Sequence, residues 1–474
     1  MNNKIYYPEA ISLPVFKIIK QAADELKVDT YIIGGFVRDF LLKNQQHKDI
    51  DIVAIGSGIE LAKKVNSLFP TKTKMAVYKN FGTAMITDGD IELEFVGARK
   101  ESYRSDSRKP IVETGTMEDD QKRRDFTVNA LAIGLNKKNW GKLIDPFNGI
   151  EDLENKILRT PLDPDITFSD DPLRMIRAIR FASQLDFMIH PDTFEAIKRN
   201  KHRIKILSAE RITDEFNKIM SHPKPSKGLK LMFEAGLIDE FFPELSKLQG
   251  VEENEGRTHK DNFYHTLEVV DNIAVNSDNL WLRWAALLHD IGKPMTKRVH
   301  DKNGWSFHGH EFLGSKMVPK IFKRLKLPLN HHKDYVQKLV RLSSRPLDLI
   351  EEEVTDSAIR RLLFDAGDDI EDLMTLCEAD ITTKNKQRQL KYKNNLKKVR
   401  NKLIEVEERD KIRNFQPPIS GQEIMSYFDL KPSRAVGVIK EAIKEAILEG
   451  KIKNDKDEAF EYMKIIGNEI IKNN

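Results

Sequence analysis

Two hydrophobic periods share the first 150 residues of the chain. Ile11, Val15, Ile18, Ile19, Ala22 and Leu26 recur at helical spacing and predict an amphipathic helix. Tyr31-Ile32-Ile33 is a short apolar strand that runs into Gly34-Gly35, and a helical stretch then reaches Leu42. Asp49-Ile50-Asp51-Ile52 alternates polar with apolar, the pattern of a half-buried strand. Ser57, with Glu60 three residues on, has the pattern of a capping box opening the next helix. Asp88-Gly89 lies between the apolar runs Thr83–Ile86 and Ile91–Val96 and predicts a hairpin.

Beyond residue 150 the strand period fades. Helices are expected after Pro172 over Met175–Leu185, and again over Asp192–Arg199 and Ala209–Met220. A third stretch carries 8 of the 12 histidines between His259 and His332, together with an apolar helix over Leu280–Leu288. The last stretch is helical and highly charged; a break at Gln416-Pro417-Pro418 precedes amphipathic segments around Ile424–Phe428 and Val436–Ile447. The predicted architecture is therefore multidomain and mainly α. An α/β head (1–150) is followed by an all-α neck (151–255), a histidine-rich domain (256–385) and a helical C-terminal region (386–474).

Composition narrows the class without fixing the chemistry. A chain of 474 residues exceeds one ordinary core, and 40% hydrophobic with 32% charged residues is globular usage. One cysteine, Cys377, excludes an internal disulfide framework and fits a reducing compartment. The opening MNNKIYYPEA lacks the build of a secretion signal. No apolar run nears the roughly 20 residues that span a bilayer. The expected location is cytoplasmic, without membrane association. Net charge is only +4, but Lys384–Arg413 holds 12 Lys/Arg against 4 Asp/Glu. Such a run is either a solvated helix face or a surface for a phosphate backbone.

The chemistry concentrates around the Asp-x-Asp strand. Residues i and i+2 of a strand share a side, so Asp49 and Asp51 present two carboxylates together while Ile50 and Ile52 face a core. Like charges this close favour a cation between them. Upstream, Gly34-Gly35-Phe36-Val37-Arg38-Asp39 sits at a strand-to-helix turn. There backbone N–H groups can approach an anion, and Arg38 can pair with phosphate. A triphosphate cradle beside a divalent-metal site is the combined expectation.

A second constellation is Ser169-Asp170-Asp171-Pro172-Leu173-Arg174. Pro172 suits a first helical turn and Asp171 an N-cap. Arg174 shares a helical face with Asp171, and Arg177 and Arg180 continue it. Asp171 as acceptor beside Arg174 as donor matches the amino group and ring nitrogen that cytosine and adenine both present, whereas uracil and guanine reverse that pattern. Arg177 and Arg180 would then meet phosphate or sugar.

These segments resemble class II tRNA nucleotidyltransferases and the related bacterial poly(A) polymerases. The matching elements are GGFVRDFLL…DIDIV (34–53), EFVGAR (94–99), EDDQKRRDFTVNALA (118–132), DDPLRMIRAIRFA (170–182) and ERITDEF (210–216). The resemblance implies a polymerase-β-like mixed sheet in the head and CTP and ATP as substrates. It implies two Mg²⁺ ions on Asp49 and Asp51, with Glu94 a further carboxylate, although Glu92 beside it makes a solvent-facing acidic pair the alternative. It also implies a nucleotide site comprising Gly34, Gly35, Arg38, Asp39, Arg123, Arg124, Asp125, Asp171, Arg174, Arg177 and Arg180, and tRNA as the polymer extended. Asp170 stands where the family often has Glu. The resemblance further implies that the polar loop over Lys100–Lys122 goes with addition of full CCA, with poly(A) polymerase as the alternative.

His289-Asp290, with His265 upstream, Lys293 following, and His308, His310 and Asp380 downstream, resembles the HD phosphohydrolase superfamily. That resemblance implies a divalent transition metal held by His265, His289, Asp290 and Asp380, with His310 a further candidate. A hydrolase of nucleotides or RNA ends, with an RNA-binding N-terminal half, is the reading of another class.

Overall fold

The computed structural model describes residues 5–44, 49–70, 73–104, 107–250, 253–254, 257–258, 261–300, 304–351, 355–383, 385–413 and 415–472. His259 and Lys384 lie outside the described residues, as do 105 and 106 within the expected polar loop; over 101–112 only the backbone course is described.

A mixed seven-stranded sheet organises the N-terminal part. Its strands are β1 (Thr30–Ile33), β2 (Asp49–Ala54), β3 (Lys74–Tyr78), β4 (Thr83–Asp88) and β5 (Ile91–Gly97), joined by β8 (Ala132–Gly134) and β9 (Leu143–Ile144) after the separate hairpin β6 (Arg99–Arg104) and β7 (Ser107–Thr114). Across the sheet the order is β3-β4-β5-β2-β1-β8-β9. β2 and β5 run parallel and the other neighbours antiparallel. The alternation read in β2 decides which way this sheet faces. Ile50, Ile52, Leu93, Phe95, Ala84 and Ile86 are fully or almost fully buried on one face, whereas Asp49 is exposed and Asp51 half-buried on the other.

Helices α1 (Pro14–Leu26), α2 (Gly35–Leu41) and α3 (Gly58–Leu68) flank the sheet strands. α1 packs on α3, which lies against β4 and β5. The helical period read from Ile11 is interrupted by Pro14, which fits a first turn, so Pro8–Ile11 forms a separate short 3₁₀ turn. Ser57 caps α3 by accepting from the Glu60 N–H at 3.2 Å, but the Glu60 carboxylate turns to Lys63, leaving half of the expected capping box. Gly58 lets α3 approach β5, since a Cβ there would lie 2.6 Å from the Val96 backbone. Asp88 pairs with Ile91 and Gly89 has φ 59°, the tight turn anticipated.

Further helices are α4 (Met117–Lys122), α5 (Gly149–Glu154), α6 (Pro164–Asp170), α7 (Leu173–Leu185), α8 (Pro191–Asn200) and α9 (Ala209–Met220). The neck is not purely helical, because Ile157–Leu158 and Met188–Ile189 form a small parallel pair. The expected polar loop is the β6–β7 hairpin followed by α4.

The chain separates into two units, Met1–His222 with Lys227–Pro243, and Pro223–Ser226 with Glu244–Asn474. Among the described residues of the second, helix Asn262–Asn276 packs on Leu280–Leu288 and Ile370–Asp380, around fully buried Trp284 and Phe322. Two-residue and three-residue hairpins also occur there, so this unit too departs from purely α structure. The 25-residue helix Lys386–Asp410 buries Leu396, Val399, Leu403 and Val406 as one stripe. Its charge run divides in two. Arg400 pairs with Glu371, and Lys402 and Arg409 reach Asp356 at 3.1 and 2.6 Å. Among the described residues Lys386, Arg388, Lys391, Lys393, Lys397 and Lys398 are exposed and pair with no carboxylate. Among the described residues no helix is long and apolar enough to cross a membrane.

Candidate functional site

Gly34 ends β1 with φ 86° and ψ −136°, a conformation that is essentially glycine-only. A Cβ there would stand 2.9 Å from Arg124 Nη1 and 3.3 Å from Asp51 Oδ2, so the turn lies directly against the Asp-x-Asp strand. Parallel register sets Asp51 beside Glu94 and Asp49 beside Glu92. Asp51 and Glu94 line one cleft of about 580 Å³, shared with Arg123, Arg124, Asp125, Asp171, Arg174 and Arg177. Burial pushes the Asp51 carboxyl up, Arg124 opposes this, and Asp120 and Asp49 add to it. Burial likewise raises Glu94, with the Asp51 charge adding to the effect. Two carboxylates that each resist ionisation, facing the same opening, fit a divalent cation. Glu94 is thus a neighbour of Asp51 at the cleft, while its side chain, like that of Glu92, remains exposed.

The arginines are arranged by carboxylates that spacing alone did not identify. Asp120 is fully buried and accepts from Arg123 Nε and Nη2 at 2.9 and 2.6 Å and from Arg124 Nε at 3.4 Å. Its positions three and four residues before those arginines were the available signal. Arg124 Nη1 also stands 4.0 Å from Asp51 Oδ2. Asp125, 7% exposed, accepts from Arg177 Nε at 2.8 Å and from Asn129 Nδ2 at 3.0 Å. Burial works against its charge, yet Arg177 and Asn129 hold the carboxyl below the usual range.

Two expectations are corrected here. Arg38 does not offer its fork to a phosphate: it is buried, donates to both Asp39 oxygens at 2.7 and 2.9 Å, and donates to Asn129 Oδ1 at 2.7 Å. Asp39 is correspondingly the partner of Arg38. Arg180 likewise turns away from phosphate or sugar, donating to buried Glu215 at 2.6 Å. A guanidinium taken out of water needs a carboxylate, and each finds one within the protein. Arg177 is anchored to Asp125 while still lining the cleft.

Asp171 joins α6 to α7. Pro172 occupies the capping position of α7, and Asp171 Oδ1 accepts from the Leu173 N–H at 3.2 Å, so it caps one residue earlier than expected. Arg211 Nη2 stands 3.6 Å from Asp171 Oδ2 and lines the same cleft. Although Arg211 lies within the ERITDEF segment, its spacing from Asp171 gave no sign of contact. Arg174 donates to the Thr167 carbonyl at 3.4 Å and to the Arg123 carbonyl.

In the second unit three imidazoles and two carboxylates converge. His265 Nε2 lies 2.8 Å from Asp380 Oδ1 and 3.6 Å from Asp290 Oδ2. His289 Nε2 lies 3.3 Å from Asp290 Oδ2 and 3.5 Å from Asp380 Oδ1, and His310 Nε2 lies 3.5 Å from Asp290 Oδ1. Each outer nitrogen is fixed elsewhere: His265 Nδ1 on Thr382 Oγ1 at 2.9 Å, His289 Nδ1 on the Ala286 carbonyl at 2.7 Å, and His310 Nδ1 on the Phe307 carbonyl at 2.9 Å. Outer nitrogens held by oxygen turn the inner ones toward the two carboxylates, the orientation a ligating imidazole needs. His289 Nε2 is buried without a well-formed hydrogen bond, and His265, His289 and Asp290 can present ligand atoms within 4.8 Å of one another. Burial opposes charge on His289, but Asp290 and Asp380 more than offset it and raise the imidazole to about 10. This donor set fits a cation. Lys293 Nζ binds Asp290 at 2.6 Å, while exposed His308 stays outside the cluster.

Residues 30–159 match the Poly A polymerase head domain family, 186–248 the probable RNA and SrmB-binding site of polymerase A, and 262–383 the HD domain. The chain is 29% identical to the A-adding tRNA nucleotidyltransferase of Deinococcus radiodurans, over 89% of this chain and 92% of that one. It is 31% identical to the Multifunctional CCA protein of Shewanella frigidimarina, over 74% of this chain and 83% of that one. Alignments with several other CCA-adding enzymes cover about half to two thirds of those proteins, such as 64% for that of Anoxybacillus flavithermus. The Thermotoga maritima CCA-adding enzyme in complex with tRNA shares the fold, with TM-score 0.61 at 22% identity over 98% of this chain and all of that one.

Proposed function

The chain belongs to the family of tRNA nucleotidyltransferases that contains the CCA-adding enzymes, and on that basis we propose that it completes tRNA 3′ ends with C, C and A from CTP and ATP, without a template. The observation that carries this reading is one cleft lined by both Asp51 with Glu94 and Asp171 with Arg174. The first pair suits phosphoryl chemistry and the second suits reading a base edge.

Asp49 and Asp51, with Glu94 as a further oxygen donor, would hold Mg²⁺. When bound, the metal would acidify the RNA 3′-hydroxyl and neutralise charge on the triphosphate. Gly34 keeps the turn close to Asp51, and Arg123 and Arg124 reach the cleft as cations steadied by Asp120. The Leu173 N–H orients Asp171 to accept from the exocyclic amino group of cytosine or adenine. Arg174, with two donors on carbonyls, keeps others to offer the ring nitrogen. Uracil or guanine would face acceptor with acceptor and donor with donor, leaving unpaired groups at about 1–3 kcal/mol each.

The rest of the proposal concerns partners and the second site. The exposed lysines of the helix Lys386–Asp410 would track tRNA phosphates, giving affinity that falls with salt. His265, His289, Asp290 and Asp380, with His310 adjoining, would hold a divalent transition metal for phosphoester hydrolysis. The division at about 150, 255 and 385 into head, neck, HD domain and tail, and a cytoplasmic location, belong to the same reading. The test supplies CTP or ATP singly to purified protein with tRNA lacking CCA, tRNA ending in CC, and unstructured RNA. Two C additions to the first and one A to the second are expected. Repeated A addition to unstructured RNA would establish a poly(A) polymerase instead.

A further inference from the structure

The side chain of Phe81 is 70% exposed, yet it lines the cleft that contains Asp51 and Glu94. A single exposed aromatic needs no explanation by itself. Two features set this one apart. Its backbone is fixed: the turn Lys79–Phe81 ends at Gly82 with φ 63°, and the Phe81 carbonyl accepts from Arg99 Nη2. The ring is thus held outward on an anchored turn.

Its position along the sheet is the second feature. On the cleft face Asp51 neighbours Glu94, Glu94 opposes Met85, and Val96 opposes Thr83, with Phe81 two residues beyond. Thr83 and Met85 lie roughly 7 Å apart along β4 at strand dimensions, and Phe81 follows in the turn beyond Thr83, so the ring stands on the order of 10 Å from Glu94. One nucleotide can bridge that gap.

The occupant follows from what each wall can recognise. Asp171, Arg174 and Arg211 carry donors and acceptors suited to the edge of an incoming base. Phe81 offers only a face and cannot discriminate. The RNA being extended needs such a platform, since its last base changes after every addition while the site stays the same, and stacking tolerates any base. We propose that Phe81 is the platform on which the terminal nucleobase of the RNA primer stacks, placing its 3′-hydroxyl at the acidic pair. The inference rests on the nucleotidyltransferase reading above.

The test compares the full-length protein with Phe81→Ala, Phe81→Leu and Phe81→Trp, measuring KM and kcat for tRNA lacking CCA and for CTP. Melting temperatures serve as the folding control, and an exposed ring should leave them unchanged. Phe81→Ala should raise the KM for tRNA at least about 5-fold, the scale of one lost base stack, with the KM for CTP within 2-fold. Phe81→Trp should restore wild-type behaviour, and Phe81→Leu should resemble alanine, because bulk without a π-face does not stack. The proposal is overturned by an unchanged KM for tRNA, by a rise in the KM for CTP instead, by a loss confined to kcat, or by leucine serving as well as phenylalanine. A wild-type protein that extends no tRNA would sink the functional reading itself, a result distinct from an active wild type whose Phe81→Ala form keeps its KM for tRNA.

Discussion

Gly34→Ala separates backbone strain from damage to the acidic centre. At φ 86° and ψ −136° an alanine costs about 1–3 kcal/mol. For a unit of this size each kcal/mol lowers the melting temperature by about 2–4 °C. The new methyl would also stand 2.9 Å from Arg124 Nη1 and 3.3 Å from Asp51 Oδ2, so one of these groups must yield. Misplacement by about 1 Å at a reacting centre lowers rates on the order of 100-fold. Gly89→Ala is the control for a left-handed glycine without a close neighbour: its φ of 59° is one that several non-glycine residues of this chain adopt, so its strain is milder, and nothing lies within 4 Å of an added Cβ. Both variants should melt a few degrees early, and CMP incorporation well below either midpoint should fall about 100-fold in Gly34→Ala alone. Equal activity in the two variants, or a Gly34→Ala loss no larger than its unfolded fraction, would refute the contact of this turn with Asp51 as the reason for the glycine.

Other outcomes follow from the same geometry. Asp51→Asn should keep the melting temperature and lower incorporation at least about 100-fold, the scale of one lost preorganised electrostatic contact; undiminished activity across a Mg²⁺ titration would contradict the assignment. Arg180→Met strands buried Glu215 and should cost about 3 kcal/mol in urea unfolding, near the lower end for a broken buried pair because Lys218 stays 2.9 Å away. Burial resists ionisation of Glu215, but Arg180 and Lys218 hold its carboxyl below the usual range. Its stabilisation is therefore complete above the unfolded value near 4.3 and is lost as pH falls through the lower folded value, so Glu215→Gln should show less acid sensitivity below about pH 4. His289→Ala should lower bound transition metal, read by elemental analysis, and leave CMP incorporation intact; unaltered metal content would remove the second site.

Local pattern was enough for much of the fold. The Asp49–Ile52 alternation placed Ile50 and Ile52 on the core and Asp51 toward the cleft, and Asp88-Gly89 specified its hairpin. Helix Leu280–Leu288 came out residue for residue, because a continuous apolar run between polar flanks has few alternatives. The hairpin Arg99–Thr114 was not legible, since its sequence is largely polar and shows no sustained period-two alternation.

Partners of charged groups were the least legible. Arg177 meets Asp125 from 52 residues away and Arg180 meets Glu215 from 35 away. Arg38, which by motif faces phosphate, is consumed by Asp39 and Asn129. Spacing reports only which residues share a helix or strand face. Thus the sequence alone determined most of the elements and the acidic strand, because short-range period and turn chemistry act over a few residues, whereas the histidine-aspartate set was named only through a family resemblance. Only the tertiary structure decided that Glu94 adjoins Asp51, that Arg211 reaches Asp171, and which arginines remain at the cleft. Those outcomes depend on strand register and helix packing, and a buried guanidinium takes whichever carboxylate the fold brings within reach.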